Sequence, residues 1–287
     1  MRGNGTRIVL HLSGILAIAL LLSLGMAYPF LPGTHDILAL PVSTGIQITM
    51  TLSLPLALLG LLWLVWEIGA RRSGSRTYAF GLAALITGSA LGALVCLTVF
   101  LAFNKLPGIV ACGILCGIIW RLFPKVKALR HAERFPVAPL YLLLFPAILL
   151  LVQWVIAEPL TSWSRDLAIA NSEDYRDAIE HYWVRYGSYP PSLLGQSPDF
   201  HTGVVGIEKY HYTSYGDSYN LFFEHPRFLL HQVGTREWVI YNPRDQQFFV
   251  SHTAWLLEHT PEELMHLQGW YVAHNARQPH WKYFWFD

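Results

Sequence analysis

Residues 175–194 read YRDAIEHYWVRYGSYPPSLL, and they decide where the apolar part of the chain ends and a folded module begins. Tyr175, Ala178, Ile179, Tyr182, Trp183 and Tyr186 recur at steps of three and four, the spacing that lays an apolar stripe along one face of a helix. Arg176, Asp177, Glu180 and Arg185 fall on the other side. Gly187 supplies a helix stop, and Tyr189-Pro190-Pro191 forces an extended exit. Upstream, Trp163, Leu167 and Ala170 carry the stripe back toward the preceding apolar run, with Pro159 expected to kink or restart the helix.

That preceding run belongs to a chain that is 53% hydrophobic and only 14% charged over 287 residues, too apolar for an ordinary soluble protein. The balance is uneven. Residues 1–157 carry eleven Lys and Arg against Asp36, Glu67 and Glu133, a formal +8. Residues 158–287 carry nine Lys and Arg against sixteen acids, a formal −7, with ten of the thirteen His. Two domains follow: a transmembrane domain over 1–157 and an exported domain over 158–287.

Five runs, at 8–30, 44–68, 78–103, 106–122 and 139–157, are about long enough to cross a hydrocarbon core some 30 Å thick. Pro29, Pro32 and Pro41 punctuate the first connection, Gly74 the second, and Pro124, Pro136 and Pro139 the fourth, where helices are expected to stop. Arg2, Arg7, Arg71, Arg72, Arg76, Arg121, Lys125, Lys127, Arg130 and Arg134 flank one side of these spans, and Lys105 alone flanks the other. Cations are retained on the cytoplasmic side, so the reading is a multi-pass inner-membrane protein with a cytoplasmic N-terminus and a periplasmic C-terminal domain. Gly25-Met26-Ala27 has the small residues of a signal-peptidase site, but the run before it is longer than most signal cores and reads as a retained span.

Polar chemistry inside the spans is sparse. Glu67 lies near a cytoplasmic end, accompanied by Gln47, Gln153, His11 and hydroxyls, which disfavours a small-molecule transporter. Cys112 and Cys116 are one helical turn apart, a spacing a soft metal can use, yet without a further ligand nearby they and Cys96 read as small packing residues. Gly88/Gly92 and Gly113/Gly117 have the small-xxx-small spacing of close helix contacts.

Beyond the opening stretch the pattern turns β-rich. Strands are expected over 207–212 and 219–223 around a Tyr215-Gly216-Asp217-Ser218 turn, over 228–233 and 238–241 around Gly234-Thr235, and at Phe248-Phe249-Val250 after Asn242-Pro243-Arg244-Asp245. Hairpin connections imply an antiparallel sheet. Thr260-Pro261-Glu262-Glu263 is a capping box that starts a short helix to about Leu267. The tail from Trp281 to Phe286 is too aromatic to be left in water and is expected to pack as a strand. The fold class is therefore an all-α membrane bundle followed by an α+β domain, a long helix packed on an antiparallel sheet.

The pattern Ala178-Ile179-x-x-Tyr182-x-x-x-Tyr186-Gly187-x-Tyr189-Pro190, then Leu193-Leu194 and hairpins with Tyr210-x-Tyr212 and Tyr219-x-Leu221, resembles the globular part of type IV pilins and type II secretion pseudopilins over residues 160–250. Because several spans come before that helix, the resemblance implies a pilin-like fold and not filament assembly. It implies a rigid lead from the membrane into a small sheet domain.

Function classes narrow in the same way. Net negative charge disfavours nucleic acid, and no Gly-rich loop supports phosphate binding. Ser and Asp abound without a Gly-x-Ser-x-Gly elbow. His252, His259, Glu262, Glu263 and His266 are the strongest candidate for a metal-dependent hydrolase, but they match no His-Glu-x-x-His pattern. No catalytic, cofactor or metal residue is assigned and no cofactor is expected. The aromatic load of the exported half points instead to a dense core with some rings left over for an envelope protein or glycan partner. The reading is a non-catalytic binding or assembly module displayed from the lipid bilayer into the cell envelope, with an envelope enzyme as the rival.

Overall fold

The computed structural model describes residues 2–69, 74–102, 105–131, 135–193, 201–215, 217–232, 236–245 and 271–286. Two units emerge: Met1–Leu24 with Gly45–Gln153, and Gly25–Thr44 with Trp154–Asp287. Residues 25–44 therefore belong with the C-terminal part of the chain, although they lie between the first two apolar runs.

The helices are α1 (Arg2–Ala27), α2 (Ala39–Leu52), α3 (Leu54–Gly69), α4 (Gly74–Ala102), α5 (Lys105–Ala128) and α6 (Ala138–Asn171). Four segments, Thr6–Phe30, Thr77–Leu97, Gly108–Ala128 and Ala138–Tyr186, are long and apolar enough to cross a membrane, and α2 with α3 makes a fifth if the pair is one broken span. The expected continuous span over 44–68 is in fact bent by 43° between α2 and α3. Pro55 accounts for the break, since its ring excludes the carbonyl one turn back and removes a donor. Three hydroxyls near the break bond to their own helix: Thr49 to the Gly45 carbonyl, Thr51 to Gln47 and Ser53 to Met50, at 2.6–2.9 Å.

Two other proline expectations need correction. α5 runs through Pro124 to Ala128, and α6 runs through Pro159 to Asn171. Each proline removes one intrahelical bond, a loss that neighbouring side chains and local adjustment of the flanking turns can re-satisfy.

Within the first unit, a Cβ on Gly60 would lie 2.8 Å from Leu142 Cβ and 2.9 Å from Leu143 N, so α3 and α6 meet backbone to backbone. A Cβ on Gly92 would lie 2.7 Å from the Leu115 side chain, whereas a Cβ on Gly113 or Gly117 would meet nothing within 4 Å among the described residues. Small residues permit close approach only where a neighbour is present. The polar groups pair among themselves: Gln153 Nε2 donates to Gln47 Oε1 at 3.3 Å, and His11 Nδ1 meets the Tyr141 hydroxyl at 2.9 Å.

The second unit adds α7 (Glu173–Tyr186), a short α8 (Leu229–Gln232), and strands β1 (His211–Tyr215), β2 (Ser218–His225), β3 (Arg236–Tyr241), β4 (Tyr271–Asn275) and β5 (Trp281–Phe286). They form one antiparallel sheet in the order β1-β2-β3-β5-β4. The aromatic tail is thus an interior strand, as its composition demands, with Trp281 and Phe284 buried. Residues 229–232 are helical rather than extended: Phe228 is buried against Phe30, ring on ring at 4.5 Å, so this stretch docks on the first connection and does not join the sheet. The expected strand at 248–250 and helix at 260–267 lie outside the described residues.

β1 starts at His211, later than the pattern suggests, and residues 203–206, before the expected strand, pair with the first connection. Val205 N donates to Leu31 O, Gly206 N to Pro29 O, Gly33 N to Gly203 O and Asp36 N to Val205 O, at 2.7–3.0 Å. The connection after α1 is stitched along 203–206 by four backbone bonds. Gly206 is required there, since a Cβ would meet Pro29 O at 2.6 Å.

On the helical side, the buried stripe of α6 is Thr161, Ser164, Arg165, Ala168, Ile169, with Ser172 just beyond its end. Of the expected stripe, Leu167 packs against the core while Trp163 and Ala170 are exposed. Small residues win the buried face because they let the helix approach the sheet. α7 contributes Ile179, fully buried, and ends on Gly187 in the left-handed conformation with its N–H on Trp183 O. Trp183 and Tyr186 were expected on the same buried face but are exposed, because they pack on the neighbouring rings Tyr189 and Tyr182 instead of the sheet. Ala168, Ile169 and Ile179 close over Tyr219, Leu221, Phe223, Val239, Tyr241 and Trp281 to form the core.

Candidate functional site

Strand alternation points every second residue of β2, β3 and β5 at the helix. In that register His225 lies opposite Glu237, and Glu237 opposite Trp285. Three polar or half-polar side chains thus converge at one end of an otherwise apolar face. α6 meets them with Ser164 and Arg165, one turn before the apolar Ala168 and Ile169.

Arg165 grips Glu237 with two bonds, Nε to Oε1 at 2.8 Å and the terminal nitrogen to Oε2 at 3.1 Å, while Trp285 Nε1 donates to Oε2 at 2.8 Å. Arg227 Nε stands 3.8 Å from Oε2. The two guanidinium groups lie over rings, Arg165 on Tyr283 at 3.8 Å and Arg227 on Trp285 at 4.1 Å, so their faces are covered while their edges reach the acid. Burial pushes the Glu237 carboxyl up, but His225 and Arg165 pull it down further, to about 2. Burial holds His225 below the usual imidazole range against the opposing pull of Glu237, and Arg165 is the cation hydrogen-bonded to the carboxylate.

Ser164 Oγ lies 2.9 Å from His225 Nε2, and His225 Nδ1 lies 3.2 Å from Glu237 Oε1. The order serine, histidine, acid invites comparison with a nucleophilic triad. The geometry serves another purpose. Ser164 is completely buried within α6, where the helix's own carbonyls hold the N–H groups that an oxyanion would need. Its hydroxyl is also within 3.1 Å of the Thr161 carbonyl. Nδ1 is near the carboxylate but off the line of a hydrogen bond, and the carboxylate is already committed to Arg165 and Trp285. These residues clamp helix to sheet.

None of Ser164, Arg165, His225, Arg227 and Glu237 stands out in the sequence as a site. One signal was available: Glu237 alternates with the core residues Val239 and Tyr241, which forces a carboxylate inward and demands a buried cation. His252, His259, Glu262, Glu263 and His266 lie outside the described residues. Among the described residues no group of three or more His, Cys, Asp or Glu is placed to hold a metal ion.

The same unit carries an open cavity of about 210 Å³ where the first connection meets the sheet. His35 and Leu40 wall one side, and Glu208, Lys209, His211 and Glu224 the other. Glu208 and Lys209 pair at 3.6 Å on the rim. His35 Nδ1 contacts the Val205 carbonyl at 3.2 Å, which makes that nitrogen the donor. His211 stacks on Phe222 at 5.2 Å, and burial followed by the nearby Lys209 lowers its affinity for a proton. Ionisable side chains of both signs thus reach solvent here, unlike those of the clamp.

Comparison of the chain with protein-family models, with curated proteins and with solved structures finds no match.

Proposed function

We propose that this chain is a multi-pass protein of the inner membrane that displays a pilin-like α+β module on the outer face and works there as a binding or assembly module of the cell envelope. The observation that carries the reading is the division of polar and aromatic groups in the second unit. Among the described residues, the serine–histidine–acid arrangement of Ser164, His225 and Glu237 is consumed in the clamp, while Trp183 and Tyr186 at the end of α7 stay 42% and 57% exposed. Exposed Trp and Tyr give large contact area at low entropy cost, the usual anchors of a protein or glycan partner.

The orientation has its own support. Residues 29–36 pair with 203–206, so the first connection and the C-terminal module share one side of the membrane. That requires an even number of crossings between them, which α2 with α3 as one span, α4, α5 and α6 supply. The cation distribution favours that side as the outside.

Complementation of a deletion strain separates binding from catalysis. A chain carrying Trp183→Ala with Tyr186→Ala is expected to fold, insert and fail to complement, while Ser164→Ala complements. Full complementation by the aromatic variant, or loss of function in a folded Ser164→Ala chain, reverses the assignment.

A further inference from the structure

The cavity between the first connection and the sheet has an unusual skirt. Ile37 and Leu38 are 79% and 62% exposed, and Leu40 and Val42 continue the apolar run into α2. Four apolar side chains in a row are not left in water. On the reading that α2 enters the bilayer, they lie in its outer leaflet, and the cavity walled by Leu40 opens at the level of the lipid headgroups.

The walls then describe the headgroup. Glu208 and Glu224 offer carboxylates to an ammonium, and Lys209 with the ring of His211 offers donors to a phosphate. Among the described residues, Trp, Tyr and Phe are missing from the lining, and with them the aromatic faces that hold a quaternary ammonium. A purely anionic headgroup would meet two carboxylates. The volume is that of about seven water molecules, and phosphoethanolamine has about eight non-hydrogen atoms. We propose that this cavity binds the phosphoethanolamine headgroup of an outer-leaflet phospholipid. Such a lipid would add a further tie between the first connection and the sheet, beside the His35 contact to the Val205 carbonyl. The proposal deepens the membrane reading above and rests on it.

The test is native mass spectrometry of the full-length chain in mild detergent, titrated with phosphatidylethanolamine, phosphatidylcholine and phosphatidylglycerol of matched acyl chains. Phosphatidylethanolamine is expected to bind about tenfold more tightly than either of the others. Glu208→Gln with Glu224→Gln should bring the three lipids to parity with the melting temperature kept. Equal binding of the three by the unaltered chain, or a preference that survives the double substitution, overturns the proposal. Should the double variant not fold, soluble O-phosphoethanolamine decides on the unaltered chain: displacement of the bound lipid supports the site, and no displacement overturns it. Labelling of Lys209→Cys by a membrane-impermeant maleimide tests the underlying topology separately. Labelling from outside supports the outer-leaflet assignment, and labelling only after the cells are opened overturns it whatever the lipid preference.

Discussion

Glu67 in the first unit and Glu237 in the second are both buried carboxylates, and their partners could hardly differ more. Glu67 Oε1 accepts from Trp63 Nε1 at 3.1 Å and from the Thr77 hydroxyl at 2.6 Å, neutral donors four and ten residues away in the chain. Glu237 is held by a full cation seventy-two residues away, a tryptophan forty-eight residues away and a second guanidinium at 3.8 Å. The helical unit satisfies this acid locally, with neutral hydrogen bonds. The sheet unit satisfies its acid with charge brought in by the fold. A local arrangement tolerates loss of a partner, whereas a long-range ion pair leaves an uncompensated charge when broken.

The largest expected effect tests that contrast directly. Glu237→Ala strands Arg165 in the core and should cost about 3–5 kcal/mol, read as a lowered melting transition of the full-length chain in detergent. Replacing both partners, Arg165→Met with Glu237→Leu, should recover most of the loss. A Glu237→Ala chain with the wild-type transition would mean that the pair is not buried.

Acid sharpens the same comparison. The folded state holds His225 below its ordinary value and Glu237 at about 2, so in both cases the unfolded chain binds protons first as pH falls. Stability should be complete above about pH 6.5, decline as unfolded His225 begins to charge, and decline more steeply from about pH 4.5 toward 2 as Glu237 is lost. In Glu237→Leu with Arg165→Met the steeper limb should vanish. If it persists, other carboxylates govern acid unfolding.

A smaller effect is expected at the stitched connection. Gly206→Ala drives a methyl into the Pro29 carbonyl and should cost about 1–3 kcal/mol. Gly113→Ala in α5 meets nothing within 4 Å and should be neutral or stabilising by about 0.5–1 kcal/mol. Equal penalties at the two positions would show that the connection after α1 does not pack on 203–206.

The smallest effect belongs to the first unit. Glu67→Gln keeps an acceptor for Trp63 and Thr77 and should change stability by about 1 kcal/mol or less, measured in the same melt. A loss as large as that of Glu237→Ala would erase the difference between the two units.

Much of this architecture was legible in the residues. The spans follow from uninterrupted apolar length, the stop at Gly187 from its freedom to adopt a left-handed conformation, and the terminal strand from its aromatic content. The misreadings share a cause. Local propensity puts a stop at Pro124 and a kink or restart at Pro159, and the surrounding turns carry the helix through both. Residues 229–232 had strand-like composition, yet Phe228 found Phe30 nearly two hundred residues earlier. Trp163 had the hydrophobicity of a core residue, and the small Ser164 and Ala168 took the buried face instead.

What the sequence by itself determined is what depends on neighbours along the chain: which segments are apolar enough for a bilayer, where helices cap, which runs alternate, and which flanks carry the cations. Only the tertiary structure decided the pairing of residues 29–36 with 203–206, the joining of 25–44 to the second unit, and the meeting of Ser164 and Arg165 with His225 and Glu237. These are long-range choices, in which one register out of many brings a buried charge to its counter-ion. Composition can require that a partner exist, but the strand register and the rotation of α6 select which residue it is.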